Sequence, residues 1–167
     1  DVARALLEGI AATVAQVASA LKNVFLATVD LAASILKSIG VVLADIVDVL
    51  SSVFFATLSV IATALKSIGA LASQIATLLV DVLGAAINAV ASALQAAFGA
   101  VYDTIASALK TAFEATANAV AAALKYIGGA INDVASALKA AFNWFSWVGG
   151  KYLASALEYA FGSVYNA

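Results

Sequence analysis

A six-residue phrase recurs along the chain as VASALK, IATALK, VASALQ, IASALK and VAAALK, with a looser copy, AASILK, at 32–37. Each phrase contains one leucine, and successive leucines are separated by either one or two repeats. The mean repeat is about 14.6 residues, close to the roughly 14.4 that four turns of α-helix require. The repeat leucines are Leu21, Leu36, Leu65, Leu94, Leu109, Leu124 and Leu138. A continuous helix would therefore present all of them on one face.

The spacing of the other large apolar residues also predicts helix. They recur at intervals of three and four, without the alternation of a strand. Alanine, the strongest helix former, occupies 43 positions. Between Leu65 and Phe161 the apolar stripe advances by about 3.7 residues per step, near the 3.67 of an 11-residue repeat. We predict an all-α fold of long, Ala-rich amphipathic helices with a repeat of about 14.6 residues, packed as a bundle or an extended array.

The chain contains no proline, so glycines are the residues expected to interrupt its helices. Residues 1–167 are predicted to form a single repetitive helical domain. Glycines near multiples of the repeat either end helices or allow helices to approach closely. We expect breaks near Gly149–Gly150, Gly128–Gly129, Gly40 and Gly69, which would give helices of about 20–40 residues. Gly84 and Gly99 are expected to lie inside helices.

Composition limits the possible functions. Apolar residues make up 65% of the chain and charged residues 11%, so a chain of this size is expected to need a partner for its apolar surface. The net charge of −2 argues against nucleic acid, because no basic stripe is present to neutralise phosphates. The same balance argues against a cationic membrane-lytic peptide. The expected partners are other copies of the chain, with lipid or another apolar interface as the alternative.

The sequence contains few residues that could catalyse a reaction or bind a metal ion or cofactor. Histidine and cysteine are absent, which excludes Ser–His and Cys–His pairs and the usual metal ligands. Asp45 and Asp48 share a helical face, but two carboxylates alone make a poor cation site, and a solvated face is the preferred interpretation. No phosphate-binding glycine motif occurs. We therefore predict a non-enzymatic protein with no catalytic, cofactor-binding or metal site.

The lysines and the tryptophans of the chain each occupy distinctive positions. A lysine directly follows the leucine at Lys22, Lys37, Lys66, Lys110, Lys125 and Lys139, which places these charges on one flank. Both tryptophans, Trp144 and Trp147, fall within one turn near the C-terminal end. They are interpreted either as a packed capping cluster or as an anchor at a membrane or other interface.

Insertion of the chain into a membrane is a further alternative. The longest run without charge, Val82–Tyr102, is long enough to span a bilayer, but it contains Asn88, Gln95 and two glycines. The absence of methionine and the start at Asp1 are compatible with a processed secretory chain.

These features favour a structural protein that self-assembles through an apolar seam formed by the repeat leucines, giving a bundle, filament, fibre or coat. The alternative is an amphipathic helical protein at a lipid interface, including a transmembrane bundle or pore. A designed origin is a smaller possibility.

Overall fold

A computed structural model of the protein describes Ala5 and residues 12–143 and 147–162. Within these residues the backbone forms ten α-helices and no strand, which confirms the predicted all-α fold. The helices are α1 Val14–Asn23, α2 Val29–Ser38, α3 Leu43–Ser52, α4 Leu58–Ser67, α5 Ala72–Asp81, α6 Ile87–Phe98, α7 Tyr102–Phe113, α8 Ala117–Tyr126, α9 Ile131–Phe142 and α10 Trp147–Phe161.

Each helix packs against its neighbour in sequence and against the helix two positions further along. The odd-numbered helices therefore form one layer and the even-numbered helices the other. A pair of helices occupies about 29 residues, and successive pairs stack in order, as in other α-solenoids. The array is held together by contacts between neighbouring pairs.

The core lies between the two layers and consists of one leucine from each helix with flanking alanine, valine and isoleucine. All seven repeat leucines are buried in it, six of them with no exposed surface and Leu21 with 6%. The remaining three helices contribute Leu50, Leu79 and Leu157 at the same position. The ten leucines, here called the stripe leucines, are thus covered by the chain's own helices.

The helices are short, and the prediction of long helices is wrong. The shortest, such as α1, have 10 residues, and the longest, α10, has 15 residues. Only a few residues connect one helix to the next. The repeat of about 14.6 residues measures one helix plus one connection, which happens to equal four helical turns. The apolar stripe with about 3.7 residues per step therefore does not run along one continuous helix, because the chain leaves the helical conformation in every repeat.

Two kinds of turn alternate along the chain. After the odd-numbered helices the left-handed residue has φ between 48 and 63°, a conformation that non-glycine residues adopt at Leu26, Phe55, Glu114 and Asn143. After the even-numbered helices φ is larger, as at Gly69 with 87°, and every such position holds glycine. A side chain is strained at that angle, so the glycines recur once per helix pair.

Several glycines lie at a different place relative to the helices than was predicted. The chain leaves the helix near Gly40, Gly69 and Gly128–Gly129, as expected. The expectation that Gly84 and Gly99 lie inside helices is wrong, since Gly84 lies in a connection and Gly99 ends α6. Gly149 and Gly150 do not break a helix; they lie in the first turn of α10.

Candidate functional site

The lysines that follow the stripe leucines form a ladder between neighbouring helix pairs. Each Nζ donates a hydrogen bond to a backbone carbonyl at the C-terminal end of the helix two positions further along. Lys66 Nζ lies 2.7 Å from the Ala97 oxygen, and Lys110 Nζ lies 2.8 Å from the Ala141 oxygen. The lysine ladder comprises Lys22, Lys37, Lys66, Gln95, Lys110 and Lys125, with Gln95 replacing lysine in α6.

These contacts explain why a cation occupies the position. The last carbonyls of a helix have no partner within the helix and carry partial negative charge, which an ammonium group stabilises. Four of the ladder lysines also lie over a phenylalanine ring near the same helix end, as Lys66 does over Phe98 at 4.9 Å. Since donor and acceptor both lie at C-terminal helix ends, helices within one layer run parallel.

Small residues near each stripe leucine are also buried. The residue three before the stripe leucine, here position −3, has no exposed surface in α1 to α8, where it is alanine or, in α3, valine. The residue directly before the leucine, position −1, is buried in α3 to α10 except for half-buried Leu78. Position −3 is thus less than fully buried only in α9 and α10. Position −1 is less than fully buried mainly in α1 and α2. Positions −3 and −1 are thus both buried in α3 to α8, with the exception of half-buried Leu78.

The first two and the last two described helices differ from the others at these positions. At the C-terminal end Ala135 of α9 is half-buried and Ala154 of α10 is exposed, although their counterparts are covered. At the N-terminal end Ala20 of α1 and Ile35 of α2 are half-buried.

The first two odd-numbered connections expose large apolar side chains. Val24, Phe25 and Leu26 are exposed by 72, 54 and 82%, and Phe55, one helix pair further on, by 78%. The positions that correspond to Leu26 and Phe55 in later pairs hold Gly84, Glu114 and Asn143. The apolar patch, defined as Val24, Phe25, Leu26 and Phe55, is thus confined to one end of the array.

No family model, curated protein or solved structure matches this chain. The candidate site accordingly depends on the geometry of the chain alone.

The structure places the other predicted residues as follows. Trp144 lies outside the described residues, and Trp147 begins α10 with a side chain that is not described. Asp45 and Asp48 lie on the exposed side of α3. In the described part of the chain no three acidic side chains come together in a way that could hold a metal ion.

The surface depressions on the odd-numbered layer are open and lined by small polar residues such as Ser73, Ser107 and Thr111. Asp103 lines one of these depressions beside Thr104 and Ser107.

The described helices include none that is both long and apolar enough to cross a bilayer. The charge-free run Val82–Tyr102 is divided by connections on both sides of α6, which has 12 residues. A helix of that length extends about 18 Å, well short of the hydrocarbon core.

Sequence reasoning missed the helix starts in the odd-numbered connections. Thr28, Thr57 and Thr116 each accept a hydrogen bond from the backbone three residues on and so cap the next helix. The signal is a second repeated motif, Phe-x-Ala-Thr at 25–28, 54–57 and 113–116. Its second residue takes the left-handed conformation, and its threonine starts the following helix.

Proposed function

We propose that this chain is a non-enzymatic structural protein whose solenoid is the unit of a larger homo-oligomeric assembly. The observation that carries the proposal is the apolar patch. Every stripe leucine is inside the fold, yet Phe25, Leu26 and Phe55 are exposed in the first two odd-numbered connections. Large apolar side chains left exposed on successive connections of one layer favour a surface that a partner covers.

The lipid-interface alternative is supported less well. A helix that lies on a membrane needs an apolar face turned outward. In the described helices the leucine faces pack against each other between the two layers. The large apolar side chains that remain exposed are those of the apolar patch and others such as Val42, Leu71 and Val101, which lie at helix starts and not on a leucine face.

Sedimentation velocity in lipid-free buffer over a range of protein concentrations tests the proposal. We expect oligomers whose mass increases with concentration. Replacing Leu26 and Phe55 by serine should reduce association, whereas the matched replacement of exposed Leu71, which lies outside the apolar patch, should not. A monomer at every concentration would contradict self-assembly, and association that requires added vesicles would favour the lipid alternative.

A further inference from the structure

The outer faces of the two layers differ at one repeated position. The residue five before the stripe leucine, here position −5, lies nearly opposite the leucine on the helix and thus on the outer face of its layer. On the odd-numbered helices this residue is polar in every case: Gln16, Asp45, Gln74, Thr104 and Asp133. On the even-numbered helices it is apolar or aromatic in every case: Leu31, Val60, Ala89, Ala119 and Tyr152. The difference recurs in all five described helix pairs.

The charges of the two layers differ in sign. The described odd-numbered helices carry five aspartates against three lysines, and the even-numbered helices carry four lysines against two acidic residues. The aspartates of the odd-numbered layer are all exposed: Asp45, Asp48, Asp81, Asp103 and Asp133. The lysines of the even-numbered layer are also exposed: Lys37, Lys66, Lys125 and Lys151. We call the outer surface of the odd-numbered layer the acidic face and that of the even-numbered layer the basic face.

Most of these charges lie at the same edge of the array. Asp45, Asp103 and Asp133 are in the first turn of odd-numbered helices, and Lys37, Lys66 and Lys125 are in the last turn of even-numbered helices. A short connection joins the end of each even-numbered helix to the start of the next odd-numbered one, so both rows lie at one edge. The rows also share a gap, since α5 has no acid in its first turn and α6 has no base in its last.

The helix dipole alone does not explain this segregation. It favours an acidic residue at the start of every helix. Among the described even-numbered helices, however, only α2 has one in its first turn, Asp30. The arrangement instead gives one face a row of carboxylates and the other a row of ammonium groups at the same edge.

The surfaces of the two faces differ in relief as well. A depression of about 550 Å³ on the acidic face is lined by residues of α5 and α7 such as Ser73 and Ser107. A second, of about 350 Å³, is lined in part by Leu43 and Leu78. On the basic face Leu31 and Val60 are exposed by 51 and 43%. One face thus offers depressions with partly apolar walls, and the other offers aliphatic side chains that can fill them.

We propose that copies of this chain stack layer on layer, with the basic face of one copy on the acidic face of the next and both copies in the same orientation. That orientation places the lysine row of one copy beside the aspartate row of the other. An ammonium group has three N–H donors and its ladder carbonyl uses one of them, so a ladder lysine can also bind a carboxylate. The inference rests on the proposed self-assembly and adds a contact surface to the apolar patch.

The charges also select the mode of stacking. Two basic faces in contact would oppose lysines, and two acidic faces would oppose aspartates, so only unlike faces attract each other. A contact between unlike faces leaves one face free on each outer copy, and the stack therefore grows as an open assembly. The net charge of −2 is too small to keep the copies apart.

Charge reversal on each face, followed by mixing, tests the stack directly. One variant carries Asp45→Lys and Asp48→Lys on the acidic face. The other carries Ser34→Glu and Thr63→Glu, two exposed positions of the basic face that leave the lysine ladder intact. In sedimentation velocity each variant alone should show at least a tenfold smaller fraction of protein in the largest oligomers. An equimolar mixture should recover them, because each reversed face then meets a face of opposite charge.

A matched pair of single variants separates the stack from a general effect of charge. Asp103→Lys reverses a charge on the acidic face and should reduce the largest oligomers. Glu114→Lys makes the same change at an exposed residue in the connection after α7, outside both faces, and should leave them unchanged. Equal effects of the two substitutions would overturn the stack, as would a mixture of the two double variants that fails to recover the oligomers.

Salt gives an independent measurement on the unmodified chain. At 1 M NaCl the screening length falls to about 3 Å, so contacts between exposed charges weaken while apolar contacts do not. The largest oligomers should therefore decrease with added salt. Oligomers that resist both salt and charge reversal but are lost when Leu26 and Phe55 are replaced by serine would overturn the stack and leave the proposed self-assembly standing. Wild-type protein that remains monomeric throughout would overturn both.

Discussion

The lysine ladder predicts a specific loss of stability when one interior rung is removed. Lys66 donates to the Ala97 carbonyl at 2.7 Å and lies 4.9 Å from the centre of the Phe98 ring, and the contact is partly buried. In Lys66→Ala the carbonyl loses its donor and the C-terminal end of α6 loses its cation. We expect the free energy of unfolding to fall.

The magnitude follows from the contacts that are lost. A hydrogen bond from a charged donor contributes about 1.5 kcal/mol at the lower end of its range, which suits a partly exposed site. The cation–π contact contributes about 0.5 kcal/mol at such a site. The expected loss is therefore about 2 kcal/mol, and each kcal/mol lowers the melting temperature of a protein of this size by about 2–4 °C. Urea denaturation followed by circular dichroism at 222 nm measures it.

Lys139→Ala is the matched control, because Lys139 follows its stripe leucine in the same way but has no described acceptor. Both variants gain the same helix propensity of alanine, so the difference between them reports the rung alone. Measured below the concentration of self-association, Lys139→Ala should change the unfolding free energy by less than about 0.5 kcal/mol. Lys66→Gln should restore part of the loss, since Gln95 makes the same contact at 2.8 Å. Equal destabilisation by Lys66→Ala and Lys139→Ala would refute the reasoning.

Three further predictions concern the turns and the core. Gly69→Ala, at φ 87°, should lower the urea midpoint by the equivalent of about 1–2 kcal/mol, whereas Gly84→Asn, at φ 63°, should be close to neutral; equal effects would contradict the distinction between the two turns. Leu26→Asn should stabilise the monomer by about 0.5–1 kcal/mol in thermal melts, because asparagine adopts the left-handed conformation more readily. Leu109→Ala should cost about 3–5 kcal/mol in chemical denaturation because the side chain is fully buried; a loss below about 1 kcal/mol would argue against the core.

The helical class could be predicted from the sequence, whereas the helix lengths could not. Alanine content and apolar spacings of three and four are direct consequences of helix geometry. The leucine interval is ambiguous because one short helix plus its connection has nearly the length of four uninterrupted turns. The glycines contain the missing information. Gly40, Gly69, Gly99 and Gly128 recur at twice the leucine interval, which is the length of a helix pair.

The candidate site could be predicted only in part, because its contacts join residues far apart in sequence. The lysine positions predict one flank of the stripe, but the acceptors lie 31 to 35 residues further on, at helix ends that the stripe does not mark. The prediction of repeat leucines at a surface follows from a single long helix, which cannot cover its own apolar face. Once the chain folds back at every repeat, its neighbouring helices supply that cover.

The parallel stacking of helix pairs has a consequence for how such a chain can change over evolutionary time. Among the described helices, the main contacts of each pair are with the pair before it and the pair after it. Duplication of one segment of about 29 residues would insert a new pair whose contacts with both neighbours repeat those already present. The array can thus become longer by one helix pair at a time, without compensating substitutions elsewhere in the chain.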